Sequence, residues 1–121
     1  MRYDASQPQQ TEPWGHLTWM VNKARGNSDA LTVGRVTIHA GRSNPRHCHP
    51  SCEEALHLLD GELEHTLGDA CVRMTAGDTL VIPPGVFHNA TNVGSNDADM
   101  VVVYSSAERD FELEGGPAKP A

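Results

Sequence analysis

Two histidines one residue apart, followed by a carboxylate and framed by glycines, constrain this chain more than any other feature. The segment from Gly41 to Gly61 contains His47, His49 and Glu54. In an extended strand, residues i and i+2 point to the same side, so the two imidazoles can converge on one point. Imidazole nitrogens and a carboxylate oxygen form a donor set that suits a divalent first-row transition metal. The segment therefore predicts part of a metal site on a strand.

A second segment supplies a further candidate ligand. After the apolar strand Thr79 to Ile82, a Pro-Gly turn leads to a third histidine, His88. The alternative for the first segment alone is a surface strand with scattered polar residues. Since the second segment adds an imidazole, the combination favours a shared metal site over that alternative.

Together the two segments resemble the cupin family. The first cupin motif is matched in residue type and spacing by Gly41, His47, His49, Glu54 and Gly61, and the second by Gly77, Pro83, Gly85, His88 and Asn92. The resemblance implies an all-β fold, the cupin-type double-stranded β-helix or jelly-roll barrel, in a single domain. It also implies one divalent transition metal ion per chain, Fe, Mn, Ni or Zn, with His47, His49, Glu54 and His88 as ligands.

Two neighbouring carboxylates compete for the acidic ligand position. Counted forward from His49, both Glu53 and Glu54 satisfy a spacing that the family uses, but counted back from Gly61 only Glu54 does. A slip of one residue along a strand would turn the carboxylate to the opposite face. We therefore predict that Glu54 points inward together with Leu56 and Leu58.

The rest of the chain reads as short strands separated by turns, which is typical of an all-β barrel or jelly roll. We expect a flexible N-terminal arm at 1–13, the barrel at 14–113 and a loose tail at 114–121. The Asp60-Gly61 dipeptide predicts a hairpin between a strand at 54–59 and a strand at 62–67. The segment Met100 to Tyr104 is apolar on both faces, which indicates the inside of a sandwich or a face covered by a second subunit.

Two residues outside the ligand set are candidates for catalysis. His65 shares a face with Leu63 and Leu67, so it either lines the pocket or is a hydrogen-bonded histidine of the core. Tyr104 ends the last long apolar strand and is the second candidate for proton transfer. The sequence assigns no role to the following residues: His39, which we place at the rim, His57, which faces away from Glu54, Cys48 and Cys52.

Composition narrows the class of partner. The net charge of −7 argues against nucleic acid or an anionic membrane, since either would require a basic face. The N-terminus lacks an apolar signal core, and no apolar run reaches the roughly 20 residues of a spanning helix. We therefore expect the cytoplasm, where the three cysteines would be free thiols.

The ligand set favours chemistry over a purely structural role. Three imidazoles and one carboxylate leave a six-coordinate ion with open positions for a substrate, whereas structural sites are more often closed and tetrahedral. We expect a metal-dependent isomerase, lyase or dioxygenase acting on a small oxygen-rich substrate such as a sugar or a carboxylate. A non-catalytic sugar-binding module and a protein that uses the metal only for folding are the alternatives. A homodimer is expected, because it would cover sheet edges.

Overall fold

The computed structural model of the protein describes residues 3–116, and these residues form strands, turns and loops. None of them forms a helix long and apolar enough to span a membrane. The strands are β1 (Gln9–Glu12), β2 (Gly15–Val21), β3 (Thr32–Ile38), β4 (His47–Cys48), β5 (Glu54–Asp60), β6 (Glu62–Leu67), β7 (Ala70–Thr75), β8 (Thr79–Ile82), β9 (His88–Asn92), β10 (Ala98–Tyr104) and β11 (Glu112–Leu113). The prediction of an all-β jelly roll is confirmed.

The strands form two antiparallel sheets that enclose the core. One sheet has the order β1-β2-β3-β10-β5-β8, and the other has the order β11-β4-β9-β6-β7. Burial alternates along β3 and β10, as expected for strands with one face on a core and one face outward. Ile38, Leu58, Leu63 and Met100 are buried between the sheets. This alternation is what sends every second side chain of a strand towards the interior.

The predicted hairpin at Asp60-Gly61 is wrong. β5 pairs with β10 and β8, whereas β6 pairs with β7 and β9, so the two strands belong to different sheets. Gly61 has a φ of 100°, and a Cβ atom there would lie 2.8 Å from the Cα of Ala98. The dipeptide marks a tight turn, as predicted, but the turn carries the chain from one sheet to the other.

The N-terminal segment is also more ordered than its sequence indicates. Gln9–Glu12 pairs along its whole length with β2, from Gln9 opposite Thr18 to Glu12 opposite Gly15. The prediction of a flexible arm is therefore wrong for these residues. They form an edge strand through main-chain hydrogen bonds, which their polar side chains do not indicate. Of the tail expected to be loose, residues 117–121 lie outside the described part of the chain.

Asn92 is a structural residue of the second motif. Its buried side-chain amide donates to the carbonyls of Ile38 and Asn96, both at 2.8 Å, and its Oδ1 accepts from the Gly94 N–H at 2.9 Å. These bonds join the end of β9 to β3 and to the loop before β10. The second motif therefore supplies two residues with different roles. His88 faces the interior, and Asn92 joins the two sheets through hydrogen bonds.

Candidate metal centre

Strand register and one turn bring the three motif histidines together. His47 of β4 lies directly opposite His88 of β9. The Gly85 N–H of the Pro-Gly turn donates to the His49 carbonyl at 3.0 Å, which holds the segment before His88 against the segment after β4. The ring centroids are 4.4 Å apart for His47 and His88 and 4.9 Å apart for His47 and His49. The three side chains form a buried group that could hold a metal ion.

Glu54 reaches the same point from the other sheet. It begins β5 and is buried, as are Leu56 and Leu58 on the same face, while Glu53 is exposed. The strand thus has the register that the spacing from Gly61 predicts. The Glu54 Oε1 lies 3.2 Å from the Nε2 of His49 and 3.2 Å from the Nε2 of His88. All four predicted ligand residues therefore converge, with the carboxylate arriving opposite the imidazoles.

Backbone carbonyls fix the tautomer of each histidine. The Nδ1 atoms of His47, His49 and His88 lie 2.7, 2.7 and 2.9 Å from the carbonyl oxygens of Pro45, Asp110 and Val86, in that order. A carbonyl oxygen only accepts, so Nδ1 must carry the proton in each pair. In the neutral ring this leaves the lone pair on Nε2. Such an arrangement orients histidine ligands in metal proteins.

Three buried atoms at the centre have no hydrogen-bond partner among residues 3–116. They are the Nε2 atoms of His49 and His88 and the Oε1 of Glu54. Buried polar atoms without partners are costly, and a buried carboxylate costs several kcal/mol unless it is paired. Lone pairs that face one another at 3.2 Å repel unless a cation or a proton lies among them. The residues present therefore fit a divalent cation.

Burial sets the protonation of the cluster. Desolvation lowers the pKa of His47 to about 4, against the weaker raising effect of its hydrogen bond to Pro45. Desolvation acts to raise the pKa of Glu54, but interactions with His49 and His88 outweigh it and lower the pKa to about 2. At neutral pH the cluster thus offers a neutral His47 imidazole and an ionised carboxylate, the forms in which these groups bind metals.

The cluster lies at the wall of a cavity of about 480 Å³ between the sheets. His47, Glu54 and His88 contribute to its lining, and most of the remaining wall is apolar. A cavity of this size accommodates a small organic molecule. The donor set thus faces a space in which such a molecule can approach it.

Both predicted catalytic candidates line this cavity. The His65 ring stacks on His88 with centroids 5.6 Å apart, and its Nδ1 lies 2.8 Å from the Thr66 carbonyl. Desolvation lowers the pKa of His65 to about 4. Tyr104 is the cross-strand partner of Glu54, and desolvation raises the pKa of its hydroxyl well above the usual value. His65 therefore offers a neutral imidazole, and Tyr104 a protonated hydroxyl, beside the predicted ligands.

The C-terminal segment supplies site residues that the sequence did not predict. Phe111 stacks on His47 with an interplanar angle of 23°, and the Asp110 carbonyl holds His49. Arg109 and Leu113 line the cavity as well. The only sequence signal was the presence of Arg109 and Phe111 in a segment otherwise rich in acidic and small residues. No motif connected these two residues with the site.

The residues without an assigned role do not line the cavity. His39 is exposed and contacts Asp97 at 3.0 Å, while His57 is exposed and contacts Thr79 at 2.7 Å. Cys48 and Cys52 are buried, and Cys71 is exposed; all three are free thiols. The expected rim position of His39 and the outward orientation of His57 are confirmed.

An all-β jelly roll with a histidine and glutamate cluster in its interior defines the class of this protein. The cupin domain family matches residues 34–104, more than half of the chain, so the chain belongs to this family. Among curated relatives, it is 36% identical over 90 residues to oxalate oxidase 1 of Hordeum vulgare, covering 66% of this chain and 44% of that protein. It is 31% identical over 85 residues to germin-like protein 3-8 of Oryza sativa subsp. japonica, covering 66% of this chain and 38% of that protein.

Solved structures agree on the fold. A mutant of Bacillus subtilis oxalate decarboxylase superposes with a TM-score of 0.81 at 17% identity, over 88% of this chain and 30% of that chain. A recombinant oxalate oxidase in complex with glycolate superposes with a TM-score of 0.76 at 28% identity, over 86% of this chain and 57% of that chain. The chain spans less than half the length of the two curated relatives described above.

Proposed function

We propose that this chain is a metal-dependent cupin enzyme that acts on a small carboxylate. The observation that carries the proposal is the convergence of unpartnered Nε2 and Oε1 atoms beside a cavity of about 480 Å³. The likeness to an oxalate oxidase, a protein named for a carboxylate substrate, supports the choice of substrate class. The ligands proposed are His47, His49, Glu54 and His88.

The ion would supply electrophilic chemistry, and the chain would supply orientation and proton transfer. A divalent ion at these residues would polarise the oxygen atoms of a bound carboxylate, and Fe or Mn would add reaction with O2. His65 donates from Nδ1 to the Thr66 carbonyl, so its Nε2 can accept a proton. Tyr104 keeps its hydroxyl proton and can donate it in a hydrogen bond. The proposal covers isomerase, lyase and dioxygenase chemistry.

Assembly and location complete the proposal. We propose a homodimer in the cytoplasm that takes a small-molecule substrate, without nucleic acid or membrane as a partner. The charge of −7 supports the exclusion of polyanionic partners, because it repels them.

Metal content and turnover test the proposal in sequence. Elemental analysis of the purified protein should find about one ion of Mn, Fe, Ni or Zn per chain, and less than about a tenth of an ion after adding metal back would overturn the proposal.

Protein loaded with each metal is then incubated with a panel of carboxylates, with and without O2, and products are followed by NMR. His65→Phe should lower kcat by about 100-fold or more at unchanged metal content. A protein that binds metal and carboxylates without turnover is the binding module instead.

A further inference from the structure

Arg109 is a cation on the cavity wall that forms no ion pair with any residue among 3–116. Its guanidinium carbon lies 4.7 Å from the ring centroid of Trp19, 5.3 Å from that of Tyr104 and 5.5 Å from that of Phe111. The hydrogen bonds and ion pairs found within residues 3–116 include none from its side chain, whereas Arg46 and Arg73 each bond a carboxylate. An arginine held by aromatic faces keeps its five N–H donors free.

The acidic groups on the same wall form no ion pair with Arg109 in the described part of the chain. Glu54 faces His49 and His88, and the Glu12 carboxylate accepts a hydrogen bond from the Gln10 amide at 2.7 Å. The N–H donors of Arg109 are therefore available to an anion that enters the cavity. Planar bidentate pairing makes a carboxylate the anion that a guanidinium matches well.

Two aromatic rings contact both Arg109 and the predicted histidine ligands. The Tyr104 ring contacts both Arg109 and the His49 ring, and the centroids of the Tyr104 and His49 rings are 4.8 Å apart. The Phe111 ring likewise joins Arg109 to His47. Arg109 and the two histidines thus share aromatic neighbours, so an anion at Arg109 and an oxygen group at the histidines would both lie beside these rings.

Much of the remaining cavity wall is apolar. Leu17, Val36, Leu56, Met100 and Val102 line the cavity. Oxalate, with two carboxylates joined directly, has no apolar body to cover this surface. A ligand with several methylene groups or a ring would bury it, at about 25 cal/mol per Å² of apolar surface.

We propose that the substrate is an elongated carboxylate rather than oxalate. It carries an oxygen-bearing group at the histidine end, an apolar body along the wall, and a carboxylate paired with Arg109 at the other end. This inference rests on the proposed function and specifies its substrate class. It assigns Arg109 as the residue that selects such substrates.

Two probes that differ by one carboxylate test the pairing. Zinc-loaded protein is titrated calorimetrically with hexanohydroxamic acid and with adipic acid monohydroxamate, whose hydroxamate ends engage the ion equally. Arg109→Gln should weaken binding of the monohydroxamate by about 10- to 100-fold and leave hexanohydroxamic acid within about twofold. Arg109→Lys should restore part of the difference, and Arg73→Gln, an exposed arginine on β7, should change neither probe.

Equal losses for both probes in Arg109→Gln would overturn the inference, since Arg109 would then only support the aromatic wall. Failure of the wild-type protein to prefer the monohydroxamate would also overturn it. Adipate titrated into metal-free protein separates the two proposals. If no metal binds but adipate affinity still falls in Arg109→Gln, the proposed function fails and the pairing stands. If the loaded enzyme turns over oxalate and Arg109→Gln has no effect, the pairing fails alone.

Discussion

Main-chain carbonyls orient the histidines of the cluster, and the carbonyl that holds His49 comes from a distant part of the chain. His49 Nδ1 is held at 2.7 Å by the carbonyl of Asp110, and the next residue, Phe111, stacks on His47. The C-terminal segment thus supports the predicted ligands and also carries Arg109. A change in this segment would alter the orientation of an imidazole and the lining of the cavity together.

At the residue scale, Glu54 and Glu53 form a matched pair for testing the acidic ligand. Glu54→Ala should weaken metal binding by about 100-fold, which removes about 2.7 kcal/mol of the stabilisation that saturating metal provides. Glu53→Ala removes an exposed carboxylate and should change neither metal affinity nor the melting temperature appreciably. Metal titration and thermal unfolding, each with and without added metal, measure both effects. Exchanged phenotypes would show that the other carboxylate is the ligand.

The sequence predicted which side chains converge but not what holds them. The spacing of His47, His49, Glu54 and His88 requires only strand alternation and a turn, both of which have sequence signals. A carbonyl such as that of Asp110 has no signal, because every residue carries one. Arg109 was likewise not predicted as a site residue, since its role depends on ring contacts that form only in the folded chain, one of them with the distant Trp19.

At the scale of elements, the crossing between the sheets is a point of close backbone approach. Gly61 lies between β5 and β6, and the space beside it is filled by the backbone at the start of β10. The approach lets β5 stay in one sheet while β6 enters the other. Since β5 carries Glu54 and β6 carries His65, the crossing places a predicted ligand and a candidate for proton transfer on different sheets that line the same cavity.

A comparison of Gly61→Ala with Gly77→Ala separates the energetic cost of a positive φ from the cost of this close contact. The two glycines have φ values of 100° and 97°, but a Cβ would meet Ala98 at Gly61 and open space at Gly77. Gly77→Ala should cost about 1 kcal/mol for the positive φ, and Gly61→Ala about 2–4 kcal/mol, because crowding adds to it. Urea unfolding measures both. Equal costs would mean that the crossing is looser than its geometry indicates.

The hairpin was mispredicted because a turn signal reports local conformation alone. An Asp-Gly pair between two strands is compatible with a hairpin and with a crossing, and the choice depends on which other strands offer edges. β5 finds partners in β10 and β8, both far along the chain. Similarly, β1 is a strand because β2 offers its edge, which no property of Gln9–Glu12 reveals. Pairing partners are a property of the whole fold.

At the scale of the whole molecule, an apolar row crosses the outer face of the larger sheet. Cross-strand pairing aligns residues of five neighbouring strands, all on the face opposite the core: Val21, Val33, Val103, Ala55 and Val81. Val81, near the sheet edge, is 53% exposed. The sequence indicated this surface through the segment Met100 to Tyr104, which is apolar on both faces. Its inner residues fill the core, and its outer residues supply part of the row.

A homodimer formed through this row should be disrupted by a charge placed in it. Light scattering of the wild-type protein at micromolar concentration should give about twice the chain mass of 13.1 kDa, since pairing two such faces removes apolar surface from water. Val81→Lys should give the monomer mass, because an ammonium group would be desolvated at the interface. Cys71→Lys adds the same charge at an exposed position of the other sheet and should leave the dimer intact. A wild-type mass near 13.1 kDa would refute the dimer, and a dimeric Val81→Lys variant would place the interface elsewhere.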